Sequence, residues 1–309
     1  MSDKNRSAGP IPPIRRMREW RLYAEDGSRF LDLRLLDNRG FLGAKGRFAG
    51  TRAKNGIDLG LLKEAPGRHA DRLRKVLARD FPEIRALRFF RNEERALAAL
   101  SLTRGGLFDP LIRRDPPAEG GIAAAGTGGR IGPEGAANPA TKGAAVHRFF
   151  LPEEERARLA TLPVRLIPLP CPEPFGPSVL AFSDAGMADA VPEDELPPVL
   201  PFTALRAWED FRGMTTPLSG GRRARSGEGA PSYSEDLWRR TDRRLSDFFE
   251  RQGPYLYARC PRQDWEAFRT RALAGGCVLT PEWELPSIVP GIFDDGELKK
   301  LAGALGGPR

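Results

Sequence analysis

The sequence predicts an α/β fold, on three observations. Between residues 69 and 212, short apolar runs alternate with amphipathic stretches, the pattern of strands and helices alternating along a chain. Within that stretch, "LRFFRNEERALAALSLTRGG" (87–106) reads as a buried strand, a tight polar turn and an alanine-rich helix ended by Gly105-Gly106. Residues 235–305 then read helix, strand, helix, strand, helix. The 309-residue chain, 40% apolar and 29% charged, has a globular composition and room for one large domain or two ordinary ones.

Residues 1–16 are expected to be disordered, with the folded part opening near Met17. In "WRLYAEDGSRFLDLRLLDNRGFLG", strands alternate with turns at Glu25-Asp26-Gly27 and at Asn38-Arg39-Gly40. "HADRLRKVLARD" (69–80) reads as a helix with Leu73, Val76 and Leu77 on one face. The strand–turn–helix of 87–106 follows. Residues 115–145, rich in glycine, alanine and proline, lack the apolar side chains to order themselves and read as disordered. "LPEEERARLATL" is a helix opened by proline and acids. "VRLIPL" (164–169) and "SVLAFSD" (178–184) are strands, and "PFTALRAWEDF" (201–211) is a buried helix. A flexible loop is expected over 213–233. The last part reads helix 235–251, strand 254–259, helix 262–274, strand 276–280 and helix 295–305.

Composition narrows the function classes. No secretory h-region and no bilayer-length apolar stretch is present, so a cytoplasmic protein is expected. Cys171, Cys260 and Cys277 form no CxxC, and with only His69 and His147 no zinc site is expected. The net charge of +8 raises the alternative of a basic nucleic-acid module. Only eight of 49 basic residues are lysine, the arginines are spread throughout, and no RNP-like aromatics accompany "GGRRARSGEG" (220–229) or "WRRTDRR" (238–244). The second cluster reads better as the solvated face of an amphipathic helix.

Several motifs in order resemble the class III aminotransferases, pyridoxal-phosphate enzymes of fold type I. Gly27, Leu31, Asp32, Leu42 and Gly43 fit the family's N-terminal hairpin, with Ala44 in place of its histidine. Phe81-Pro82, Phe89-Phe90, Asn92, Glu94 and Ala99 fit its helix, corner, strand and Asn-Ser-Gly-Thr-Glu-Ala helix start, with one turn residue deleted. Gly276, Val278, Leu279 and Pro281 fit its C-terminal strand. The resemblance covers about half of the chain, at both ends. It implies a reduced fold-type-I large domain (61–212) and a small αβ domain built from both chain ends (17–60 and 234–306). It also implies a dimer, either a homodimer or a heterodimer with an active relative.

The resemblance makes the turn Asn92-Glu93-Glu94 the remnant of a phosphate cup, a strand–turn–helix geometry suited to an anion. Asn92 stands at the serine position, the glycine is missing, and Glu93 replaces the threonine. A carboxylate beside a phosphate dianion is repulsive, and Glu93 reads more simply as a first-turn acid favoured by the helix dipole. Asp184, ending "SVLAFSD", stands where the resemblance places the aspartate that pairs with the pyridine nitrogen. The Schiff-base lysine has no counterpart: the chain holds no lysine between Lys142 and Lys299, and arginine is not a usable imine-forming nucleophile. Lys142, in the glycine-rich segment, is the one candidate; Lys299 and Lys300 read as a solvated face. Between Thr280 and Lys299 there is no arginine to clamp a substrate carboxylate.

Other constellations are weaker. "PEEE" (152–155) is a helix start, "VPEDELPP" (191–198) a solvated connector, and "GTGGRIG" (126–132) lacks the strand and helix of a dinucleotide fingerprint. Cys260 in "ARCPRQDW" has arginines that could depress its pKa, yet a thiol at a strand end more often sits in the core. The favoured expectation is an aminotransferase-like protein without Schiff-base chemistry and without cofactor, a scaffold or regulatory partner. The alternatives are a noncanonical pyridoxal-phosphate-dependent transferase and the nucleic-acid module.

Overall fold

The computed structural model describes residues 11–44, 46, 48–101, 106–113, 143–172, 174–215 and 233–306. A five-stranded sheet lies at the centre, in the order β4 (Ala86–Phe90), β8 (Ser178–Phe182), β7 (Val164–Pro168), β6 (Ala144–Val146), β5 (Leu107–Phe108). β5, β6 and β7 are parallel. β8 is antiparallel to both β7 and β4, so β4 points the same way as β5–β7.

The strands read as near-continuous apolar runs because both faces are covered. Leu87, Phe89, Ala145, Ile167, Val179 and Ala181 join one core with Leu73 and Leu77 of α2 (Arg68–Asp80) and with Ala204 and Trp208 of α6 (Val199–Thr215). The alternate positions Phe90, Ala144, Val164, Leu166, Leu180 and Phe182 join a second core with Ala96, Ala99 and Leu100 of α3 (Glu93–Ser101) and Ala188 of α5 (Ala185–Asp189). The period-two side-chain alternation of a strand thus divides each strand between two helical layers.

Two smaller sheets accompany it. β1 (Ile14–Arg18), β2 (Arg21–Ala24) and β3 (Arg29–Asp32) form a meander, and β3 pairs in parallel with β11 (Cys277–Val278), which joins the two ends of the chain. The β2–β3 turn carries Gly27 at φ 83°, with Asp26 accepting from the Ser28 N–H at 2.8 Å. β9 (Phe249–Gln252), β10 (Tyr255–Ala258) and β12 (Ser287–Ile288) form the third sheet, its hairpin turned at Gly253, φ 56°. α4 (Glu153–Ala160) precedes β7, and α7 (Glu235–Leu245), α8 (Trp265–Ala274) and α9 (Asp295–Gly306) complete the C-terminal part.

Arg21 on β2 grips Glu297 on α9 through Nε at 2.9 Å and Nη2 at 2.8 Å. Burial pushes the Glu297 carboxyl up, but the Arg21 hydrogen bond, the Asp294 N–H and the charges of Arg21 and Arg29 outweigh it, leaving Glu297 below the ordinary range. A carboxyl lowered on folding stabilises the fold above its unfolded pKa and loses that contribution as pH falls through its folded value. Glu297→Gln is therefore expected to cost on the order of 1 kcal/mol at neutral pH, the difference closing in acid. Urea denaturation at pH 7 and at successively lower pH measures it.

Several expectations need correction. β1 begins at Ile14, inside the stretch 1–16 expected to be disordered, because it finds a partner in β2. Ala144 and Ala145, assigned to the 115–145 loop, lie in buried β6, whose small side chains gave no strand signal. The helix expected over 235–251 ends at Leu245, and Phe249–Gln252 turns back as a strand against β10. α6 continues to Thr215, into the expected 213–233 loop. α1 (Ala49–Asp58) was not foreseen: it buries only Ala49, Ala53 and Gly56, too little for an apolar stripe. Residues 115–142 and 216–232 of the two expected loops lie outside the described residues.

Candidate functional site

In α/β sheets, ligands collect beyond the carboxyl ends of the parallel strands. Those ends here release Arg91-Asn92-Glu93 after β4, Asp109 after β5, His147-Arg148 after β6 and Leu169–Cys171 after β7. A cleft of about 490 Å³ lies along this edge, with Arg39, Asn92, Glu93, Cys171, Ser178 and Leu200 among its walls. Two of the three turn residues, Asn92 and Glu93, thus face a cleft, and Glu94 is exposed and is not among its described lining residues. The turn is already occupied by the chain's own acceptors. Asn92 Oδ1 caps α3 by accepting from the Arg95 N–H at 3.0 Å, and Asp194 accepts from the Arg91 N–H at 3.0 Å. Asp194 also pairs with the Arg95 guanidinium, whose hydrogen bond leads in holding that carboxyl below its ordinary range.

Asp184 stands elsewhere. β8 is antiparallel, with Phe90 opposite Ser178 and Ala86 opposite Phe182. Asp184, six residues beyond Ser178, therefore emerges at the amino-terminal edge of the parallel strands, about 20 Å along the strand from the end of β4 at 3.3 Å per residue. It is exposed, and Oδ1 caps α5 by accepting from the Gly186 N–H at 2.9 Å. Asp184 and Asn92 do not share a site. The assignment failed because a strand's sequence carries no sign of its direction.

A loop from the N-terminal segment packs on the ends of β6 and β7. Leu36, Asp37 and Asn38 take φ of 48°, 52° and 72° in succession, a run that persists only where surrounding contacts enforce it. Asn38 is fully buried. Its Nδ2 donates to the carbonyls of His147 at 3.1 Å and Pro168 at 3.2 Å, bridging the ends of β6 and β7. Its Oδ1 accepts from Arg148 Nη1 at 3.4 Å. Arg148, only 2% exposed, is held by Asp109 through both Nε (3.1 Å) and Nη2, and lies 3.6 Å from Asp37. Burial works against the Arg148 charge, and the Asp109 hydrogen bond and charge more than restore it. Beside it, burial first, then Arg165 and Arg148, push His147 down to about 3, so its imidazole is neutral.

Lys54, Lys63, Lys75, Lys299 and Lys300 are exposed on helices or turns, and none is among the described residues lining the strand-end cleft; Lys142 lies outside the described residues. The β4–α3 turn offers no glycine approach and no hydroxyl. The thiols are not poised for nucleophilic work: burial pushes Cys171 and Cys277 up to about 12, and Cys260, contrary to the sequence argument for depression, is also raised by burial. Among the described residues no group of three or more His, Cys, Asp or Glu could hold a metal, and no helix is long and apolar enough to cross a membrane. In the "WRRTDRR" cluster, Arg240 pairs with Asp295 at 2.7 Å, while "GGRRARSGEG" lies outside the described residues. Sequence reasoning passed over Asn38, Asp109 and Arg148. The available signal was a His-Arg pair set between apolar runs in "AAVHRFF".

No family model and no curated protein matches the chain by sequence. Solved structures do match by shape. An ornithine aminotransferase from Plasmodium yoelii superposes with a TM-score of 0.61 at 10% identity, covering 96% of this chain and 93% of that one. An omega-transaminase from Sphaerobacter thermophilus gives 0.60 at 13%, covering 97% and 92%. An N-acetylornithine aminotransferase from Stenotrophomonas maltophilia gives 0.60 at 12%, covering 96% of each. The chain has the fold of these aminotransferases, and at such identity the likeness extends to the fold alone.

Proposed function

We propose that this chain is a noncatalytic protein on an aminotransferase fold, acting as a partner, either with a second copy of itself or with an active relative. One observation carries the reading: the ends of β5, β6 and β7 are tied together by the buried Asn38–Arg148–Asp109 contacts, in a chain with no lysine between Lys142 and Lys299. Without an amine nucleophile there is no imine and no transamination. A fold kept while its chemistry is lost acts through its surface. Leu59 and Leu62, just after α1, are 68% and 54% exposed, the kind of apolar exposure a pairing surface covers.

The test is incubation of the purified protein with pyridoxal phosphate, its absorbance recorded before and after borohydride reduction and desalting. No stoichiometric adduct on any single lysine is expected. A retained reduced adduct mapped to one lysine, Lys142 included, overturns the reading and makes the chain a noncanonical transferase. Sedimentation of the wild type and of a Leu59→Glu/Leu62→Glu variant tests the pairing. The variant is expected to be monomeric, and a wild type that is itself monomeric removes self-association.

A further inference from the structure

A second cavity, about 670 Å³, shares no described lining residue with the strand-end cleft. It lies between α4, the end of α2 and the end of α6, within the size range of small-molecule sites. Its walls are aromatic: Phe81, Phe149, Phe150 and Phe211. His147 sits edge-on to Phe81 at 4.9 Å and to Phe149 at 5.1 Å. Its Nδ1 is buried and has no hydrogen-bond partner among the described residues. An orphaned polar atom in an apolar wall is costly unless something pairs with it.

The field around that nitrogen decides what would pair with it. Arg165, 4% exposed on β7, lines the cavity and pairs with Glu83 at 2.6 Å. Arg148 also lines it, paired with Asp109. Both guanidinium charges act on the imidazole. The remaining carboxylates on the lining already hold arginines: Asp80 with Arg212 at 3.3 Å, and Glu153 with Arg156 at the solvent side. A neutral imidazole can place its one N–H on Nδ1, and beside two arginines an oxygen acceptor is the favoured guest.

We infer that this cavity binds a small aryl carboxylate, the ring among Phe81, Phe149 and Phe211 and the carboxylate accepting from His147 Nδ1 while sharing Arg165 with Glu83. No amino group and no cofactor is needed, so the site stands whether or not the chain retains transferase chemistry.

Titration calorimetry of the full chain with phenylacetate tests it, with 2-phenylethanol as the uncharged comparison. Phenylacetate is expected to bind one to one with Kd below about 1 mM, and the alcohol at least about tenfold more weakly. No heat with phenylacetate, or equal affinity for the alcohol, overturns the inference. His147→Phe keeps the ring and removes the orphaned nitrogen, and is expected to weaken phenylacetate by about tenfold or more. Should that variant fail to fold, Ala160→Trp, which fills the cavity from α4, is expected to abolish binding. Unchanged affinity in either folded variant overturns the site.

Discussion

Asp109→Ala is expected to destabilise the protein by about 3–5 kcal/mol, because it strands a buried charge. Arg148 is 2% exposed and Asp109 takes two of its donors. Without that carboxylate, Arg148 keeps, among the described residues, the long contacts to Asn38 at 3.4 Å and Asp37 at 3.6 Å. Asp109 Oδ1 also accepts from the Leu111 N–H at 3.0 Å, so the chain leaving β5 loses its anchor as well. The damage spreads because Arg148 helps to hold Asn38, and Asn38 bridges β6 to β7. Urea denaturation measures the effect. Asp109→Asn, which keeps the acceptor without the charge, is expected to fall between wild type and alanine. Replacing both partners, Asp109→Leu with Arg148→Met, is expected to recover most of the loss, since an apolar pair leaves no charge unpaired. A loss below about 1 kcal/mol in Asp109→Ala would mean that Arg148 reaches water and that its contacts do not tie the strand ends together.

What was legible in the sequence was local. The α2 stripe of Leu73 and Leu77 and the hairpin glycine Gly27 each announce themselves within a few residues. The cleft position of Asn92 and Glu93 follows from strand, turn and helix being contiguous. The rest depends on contacts between distant positions. Asn38 meets Pro168 across 130 residues, and Arg148 meets Asp109 across 39, with no periodicity to mark either. Asp184 was misplaced for the same reason: Ser178–Phe182 is equally apolar in either direction, and only its pairing with β4 and β7 sets which end meets the cleft. Short β6 is a strand because of its neighbours and carries little propensity of its own.

Gly40→Ala is expected to be nearly as damaging, for a reason of space alone. Gly40 does not have positive φ, so alanine meets no conformational penalty there. A Cβ at that position would lie 2.2 Å from the Arg34 carbonyl oxygen, 2.9 Å from that of Leu35 and 2.8 Å from Ile288 Cδ1. Two of these are backbone atoms and cannot swing aside. Gly40 N–H donates to Leu35 O at 3.0 Å, and its carbonyl accepts from Trp20 Nε1 at 2.7 Å, both buried in the same contact. Displacing the turn pulls on Asn38, two residues earlier, and on its bridge between β6 and β7. A cost of about 3 kcal/mol or more is expected. Gly27→Ala is the control: Gly27 has φ 83° but nothing within 4 Å of a Cβ, so it is expected to cost only about 1 kcal/mol of backbone strain. Thermal denaturation of the two variants separates steric crowding from turn conformation, and a Gly27→Ala effect equal to or larger than that of Gly40→Ala would sink the steric account. A folded Gly40→Ala protein also separates the packing of the loop from chemistry. Loosening the loop adds no lysine, so this variant is expected to trap no more pyridoxal phosphate than wild type; stoichiometric trapping would mean that the packed loop, and not a missing amine, had kept the cofactor out.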